Sequence, residues 1–119
     1  MRIGIDATGV YTSEPTGVEV FSINIVNEIA KLYDDLVVWT VNDSAFTLPR
    51  EIGHKVMAPF RFLGNGQYQL RRPYWLEFEL PKLLDHEKVD ILYTTVLSAK
   101  TQCTIPQVIT VHDLFPLTF

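Results

Sequence analysis

The sequence predicts an α/β domain built on a mainly parallel sheet with flanking helices, and three observations lead there. Short β-branched apolar runs alternate with stretches of helical periodicity along the 119 residues, the pattern of successive βαβ units. The last run, Val108-Ile109-Thr110-Val111, delivers the polar pair His112-Asp113. That is how a buried parallel strand brings chemistry to the edge of a sheet, where ligands bind in open α/β folds. Finally, 47% hydrophobic and 20% charged residues are ordinary for a globular protein. A chain of this length forms one domain that buries roughly two thirds of its unfolded surface.

Residues 2–6 predict the first strand, and residues 7–16, with Gly, Ser and Pro, a loop. From residues 17 to 33 a helical period takes over. Phe21, Ile25, Ile29 and Leu32 recur at the spacing of one helix face and predict the side that meets the core. Residues 36–41 predict a second strand and residues 55–58 a weaker third. Residues 74–87 have a helical pattern interrupted by Pro81. Proline inside a helix removes a hydrogen bond and clashes with the preceding turn. The segment must therefore kink, or end one short helix and start a second with Pro81 in its first turn. Residues 90–94 and 107–111 are the last two strands.

Several function classes are excluded by composition. The net charge of −4 speaks against nucleic acid as a partner, since phosphate contacts need surplus Lys and Arg. Cys103 is the single cysteine, so neither a disulfide framework nor a thiolate metal cluster is expected, and the default setting is reducing and cytoplasmic. The opening Met1-Arg2-Ile3-Gly4-Ile5-Asp6 is no signal peptide. No stretch approaches the roughly 20 apolar residues of a membrane span, so any membrane contact would be peripheral. No Asp-x-Asp or His/Cys grouping suggests a metal. The loop after the first strand carries Gly4, Gly9 and Gly17 without the G-x-G-x-x-G spacing, which argues against a dinucleotide site. A receiver-like signalling domain would need clustered acids and a late lysine, and Asp6 alone does not supply them. Thr16-Gly17 at the start of the long helix has two readings: a helix cap, or a place where backbone N–H groups approach an anionic ligand.

Residues 60–75 stand apart. They hold Arg61, Arg71 and Arg72 with no acid, among Phe60, Phe62, Tyr68, Tyr74 and Trp75, in a chain with 10 basic and 14 acidic residues. Arginines and aromatics in this pattern suit a sugar or lipid-phosphate acceptor, or an anionic membrane surface. They equally suit a surface loop anchored to the core by its rings. Gly64-Asn65-Gly66 gives the segment the freedom to close over a ligand.

The opening strand, Thr16-Gly17-Val18-Glu19, the Trp75…Leu80-Pro81…Val89-Asp90 segment and the closing Val111-His112-Asp113-Leu114 together resemble the N-terminal half of family 4 glycosyltransferases. The resemblance runs along nearly the whole chain, and its force lies in the order and spacing of motifs that are individually weak. It implies half of a GT-B fold, a Rossmann-like acceptor-side domain facing a C-terminal domain that binds a nucleotide sugar. It also implies transfer of that sugar to a glycan or lipid-linked acceptor, as in polysaccharide or glycoconjugate synthesis, with retention and without cofactor or metal. By the same resemblance Gly17, with Thr16 before it, approaches the donor diphosphate, and His112 reaches the donor sugar at the reaction centre. Asp113 reads as a cap for the turn that follows. Arg61, Tyr68, Arg71 and Arg72 are the candidates for acceptor binding.

The chain also departs from the family pattern. Where many members carry an arginine early in the first helix, this chain has Val20, and where many carry a histidine in the fourth strand it has Tyr93. Glu79 and Glu87 have the spacing of the family's C-terminal glutamate pair but straddle Pro81 in the wrong half, and are a decoy. The sequence stops directly after the His112 motif, before any helix that would cover the last strand. An acceptor-side half without its donor-binding partner is expected to be inactive alone and to self-associate through uncovered apolar surface. The alternative is a stand-alone α/β module that binds a small ligand at the strand ends without catalysis.

Overall fold

The computed structural model describes residues 1–10, 17–41, 43–49, 52–56, 74–95 and 104–110. Five strands form one sheet in the order β3-β2-β1-β4-β5. They are β1 (Ile3–Ala7), β2 (Leu36–Thr40), β3 (Gly53–Val56), β4 (Ile91–Thr94) and β5 (Gln107–Ile109). All four pairings are parallel. Helix α1 (Val18–Leu32) connects β1 to β2, and a π-helical turn (Trp75–Glu79) running into α2 (Leu80–His86) precedes β4. The strand order reverses at β1, with α1 on one face and α2 on the other, as in a Rossmann-like doubly wound sheet.

Side-chain alternation along each strand divides the core. Ile3, Ile5 and Ala7 of β1, Leu36 and Val38 of β2 and Tyr93 of β4 join the layer under α1, together with Val26 and Ala30 of that helix. Val37, Trp39 and Leu92 form the opposite layer with Trp75, Leu80, Leu84 and Val89. Burial of both faces explains why these strands read as continuous apolar runs. In the second layer the Trp39 and Trp75 rings meet edge-on, with centroids 6.3 Å apart. Gly4 makes this possible. A Cβ there would lie 2.9 Å from Trp39 Cζ3 and 3.0 Å from Val89 Cγ1.

Helix α1 forms where the sequence predicts it, but the face it buries is rotated. Ser22, Val26 and Ala30 are the buried positions, while Phe21 is 42% and Leu32 85% exposed. Ile25 and Ile29 flank the contact. The shift is about 100°, one residue's turn. Small residues at 22 and 30 let the helix approach the sheet over Val26, and the Ser22 hydroxyl is satisfied by donating to the Val18 carbonyl at 2.9 Å. Large side chains mark the helix; small ones mark its seat.

Pro81 acts as expected. It occupies the first turn of α2, where a missing N–H costs little. The turn before it is widened, with the Leu80 N–H donating to the Trp75 carbonyl. A π-turn there relieves the clash between the proline ring and the carbonyl four residues earlier. Helix α2 then ends in paired bonds, Lys88 N–H to Asp85 O at 3.2 Å and Val89 N–H to Leu84 O at 3.0 Å. This is a Schellman closure with the usual apolar contact between its ends, Leu84 and Val89 both being buried. Its left-handed position is Lys88, at φ 56°.

At the amino edge of the sheet, Arg2 gathers three elements. Its backbone N–H donates to Asp90 Oδ2 at 2.7 Å, its Nε to Asp35 Oδ1 at 3.1 Å and its Nη1 to the Glu87 carbonyl at 2.9 Å. The Arg2 carbonyl accepts the Asp90 N–H at 2.8 Å. The pins hold the starts of β1, β2 and β4 level.

Two substitutions test this packing by chemical denaturation. Gly4→Ala should destabilise the domain by about 1–3 kcal/mol, the range for overpacking a filled core. Lys88→Gly should stabilise it by roughly 0.5–1 kcal/mol, because glycine adopts the left-handed closure without the strain a Cβ brings.

Candidate functional site

Parallel pairing aligns the carboxyl ends of the strands along one edge. Ala7, the last residue of β1, pairs with Thr40 at the end of β2. Asp6 pairs with Thr94 at the end of β4, and Thr94 in turn with Ile109 at the end of β5. Between β1 and β4 the chain direction of assembly reverses, and the crevice beyond that point is where open α/β sheets receive ligands. The residues that border it are the turn after β1, the start of α1, and the ends of β4 and β5.

Gly17 is the N-cap of α1, with φ 56° and ψ −116° and no side-chain cap bond. Its carbonyl accepts the Phe21 N–H at 3.1 Å and so closes the first helical turn. The backbone there lies in a region that glycine tolerates and other residues enter only with strain. Among the described residues, chain neighbours aside, no atom comes within 4 Å of where a Cβ would stand. Glycine is favoured by backbone conformation, and it leaves the helix start without a side chain of its own. The cap reading and the anion-approach reading of the sequence are thus compatible. Val18 and Val20 beside it are each 41% exposed, so the position at which many family members carry an arginine bears an exposed apolar side chain.

Behind the rim lies a set of buried polar groups of which pattern reading singled out Asp6 alone. Asp6, Thr8, Thr40, Thr94 and Thr95 are all at most 1% exposed. Asp6 Oδ1 accepts the Thr8 N–H at 3.0 Å and also the Thr8 hydroxyl. This is an Asx-type turn that steers the chain out of β1. The Val10 N–H closes onto the Ala7 carbonyl at 3.3 Å, and the Thr95 N–H reaches the Asp6 carbonyl at 3.5 Å. Fully buried, these groups shape the floor and the departing loops. The signal available in sequence was Asp-x-Thr at the end of an apolar strand, a local turn motif.

At the far side of the crevice the Tyr93 hydroxyl and Thr110 Oγ1 share a hydrogen bond across β4 and β5. The Thr110 N–H donates to the Thr94 carbonyl at 3.1 Å. Tyr93 therefore has a definite partner at the position where many family members carry histidine.

The remaining candidates, Thr16, Arg61, Tyr68, Arg71, Arg72, His112 and Asp113, lie outside the described residues. Residues 15–119 match the family model for Glycosyltransferase Family 4. The chain belongs to that family. No curated protein and no solved structure gives a match. In this glycosyltransferase family 4 domain the Glu79/Glu87 pair has no common site: Glu79 closes the π-helical turn, while Glu87 lies at the amino edge with Oε2 3.4 Å from Arg2 Nη1. Among the described residues, no group of three or more His, Cys, Asp or Glu side chains could hold a metal ion. Among the same residues, no helix is long and apolar enough to cross a membrane.

The backbone at Gly17 yields a direct test. Gly17→Ala should cost roughly 1–3 kcal/mol in unfolding free energy, the strain of placing a Cβ at that φ, although the substituted methyl meets open space. A neutral result in denaturant titration would show that the helix start relaxes.

Proposed function

We propose that this domain is the acceptor-side half of a glycosyltransferase that moves a sugar from a nucleotide-sugar donor to a glycan or lipid-linked acceptor. Family membership and the conformation of Gly17 support this reading, and Gly17 carries most of it. A side-chain-free helix start at the carboxyl edge suits the approach of a diphosphate to backbone N–H groups, and the helix dipole adds to the attraction. Thr16, next before Gly17 in the chain, assists there, and His112, three residues past the end of β5, serves the donor sugar.

The reaction breaks the bond between the anomeric carbon and the diphosphate oxygen. It makes a bond from that carbon to an acceptor oxygen, which loses its proton. Positive charge grows on the ring and negative charge on the departing diphosphate. Pre-aimed N–H donors stabilise the latter, each contributing about 2.7–4 kcal/mol where such donors have been removed in other enzymes. In this reading transfer proceeds with retention and without metal or other cofactor. A C-terminal domain supplies the nucleotide pocket, and the acceptor half alone is inactive and prone to self-association. Arg61, Tyr68, Arg71 and Arg72 hold the acceptor, through charge-assisted bonds where it bears phosphate. The work takes place in the cytoplasm or peripherally at its membrane surface, and nucleic acid has no part in it.

The experiment is release of nucleoside diphosphate from a panel of UDP- and GDP-sugars by the full-length protein, with and without acceptor glycans or lipid phosphates. Turnover of at least one donor is expected, and its absence across the panel with a folded protein would remove the reading. With an acceptor found, replacing both Arg71 and Arg72 by Ala should raise acceptor KM about tenfold or more, with donor KM unchanged. An unchanged acceptor KM would take the arginines out of the site.

A further inference from the structure

We infer that Tyr93 is a positioning residue of the reaction centre, acting through its bond to Thr110. The inference rests on the proposed role of His112 at the donor sugar, and it concerns a position where this chain departs from its family.

Strand β5 is weakly held by its own length. It spans Gln107–Ile109, with Val108 50% exposed, and in the described sheet it has β4 as its one neighbour. A short strand on one partner is where register is easiest to lose, and a slip of one residue sends every side chain to the opposite face. Beyond the β4–β5 ladder itself, three bonds help to hold this register. The Leu92 N–H reaches the Pro106 carbonyl at 3.0 Å and the Thr110 N–H reaches the Thr94 carbonyl at 3.1 Å. The third bond, between the Tyr93 hydroxyl and Thr110 Oγ1, joins side chains. Tyr93 and Val108 are paired positions on β4 and β5, so Thr110, two residues further on, shares their face of the sheet. The tyrosine reaches diagonally along that face to grip the first residue after the strand. Its ring is packed against the core under α1, which makes it a fixed anchor rather than a loose surface side chain.

Thr110 is two residues before His112 in the chain. Its backbone is tied to Thr94 and its side chain to Tyr93, so both residues of β4 fix the last position before Val111 and His112. The tyrosine hydroxyl is committed to a neighbouring strand.

The test uses donor hydrolysis, or transfer once an acceptor is known, by the full-length protein with the nucleotide sugar that the panel identifies. Four variants are compared: Tyr93→Phe, Thr110→Val, Thr110→Ser and His112→Ala. Tyr93→Phe and Thr110→Val should each lower kcat by about ten- to a hundredfold, the range for loss of an orienting partner. Donor KM should stay within about twofold and the melting temperature close to that of the parent. Because both remove one bond, the double variant should be no worse than either single one. Thr110→Ser keeps the hydroxyl and should restore most of the activity. Full activity in Tyr93→Phe while His112→Ala is inactive would overturn the inference and leave the proposed function standing. So would independent, multiplying losses in the double variant, or a loss in Thr110→Val that serine does not rescue. Full activity in His112→Ala would instead refute the role of the histidine on which the inference rests.

Discussion

Strand β1 is paired on both sides by parallel neighbours, and the rest of the domain is arranged around that constraint. Its backbone polar groups are consumed by β2 and β4, and, as is usual for parallel sheets, both of its faces are covered by apolar layers. Covering both faces requires crossover helices on opposite sides, and these force the strand order to reverse beside β1. Gly4 shows how tightly the condition is met. The strand gives up a side chain so that Trp39 and Val89 can close over it. Pinning the amino edge through Arg2 leaves the carboxyl edge as the one where strands end in turns and loops.

The site follows from that geometry and adds little architecture of its own. Asp6 turns the chain out of β1 through Thr8, α1 begins at a glycine whose backbone conformation other residues adopt only with strain, and β5 is tied to β4 at Thr110. Each device is local. What brings them to one crevice is the common direction of the strands, which is a property of the whole sheet. In the proposed function the same edge meets the donor, and electrostatic stabilisation of a departing diphosphate needs dipoles that are already oriented. A helix start held by the sheet meets that need.

The alternation of strands and helices was legible in the sequence because strands buried on both faces must be apolar throughout. Observed ends of strands fall within a few residues of the expected ones: the third strand ends at Val56 rather than beginning near it. Pro81 announced the break before α2 because a proline ring has few tolerable places in a helix. The buried face of α1 was misread since large apolar residues dominate periodicity, whereas close helix–sheet contact selects small ones such as Ser22 and Ala30. Gly17 was visible as a helix start, and its backbone conformation was not. The link between Tyr93 and Thr110 spans 17 positions. It depends on strand register, which no local pattern carries.

The claim at the centre of this account is that the donor diphosphate lies beyond the carboxyl ends of β1 and β4, against the start of α1. A crystal structure of the full-length protein with a bound nucleoside diphosphate measures this directly. The account expects a phosphate oxygen at hydrogen-bond distance, about 3 Å, from the Gly17 N–H or its immediate successors in α1. A diphosphate seated at the amino edge beside Arg2, or one bound wholly by other parts of the protein with the Gly17 turn facing solvent, would contradict it.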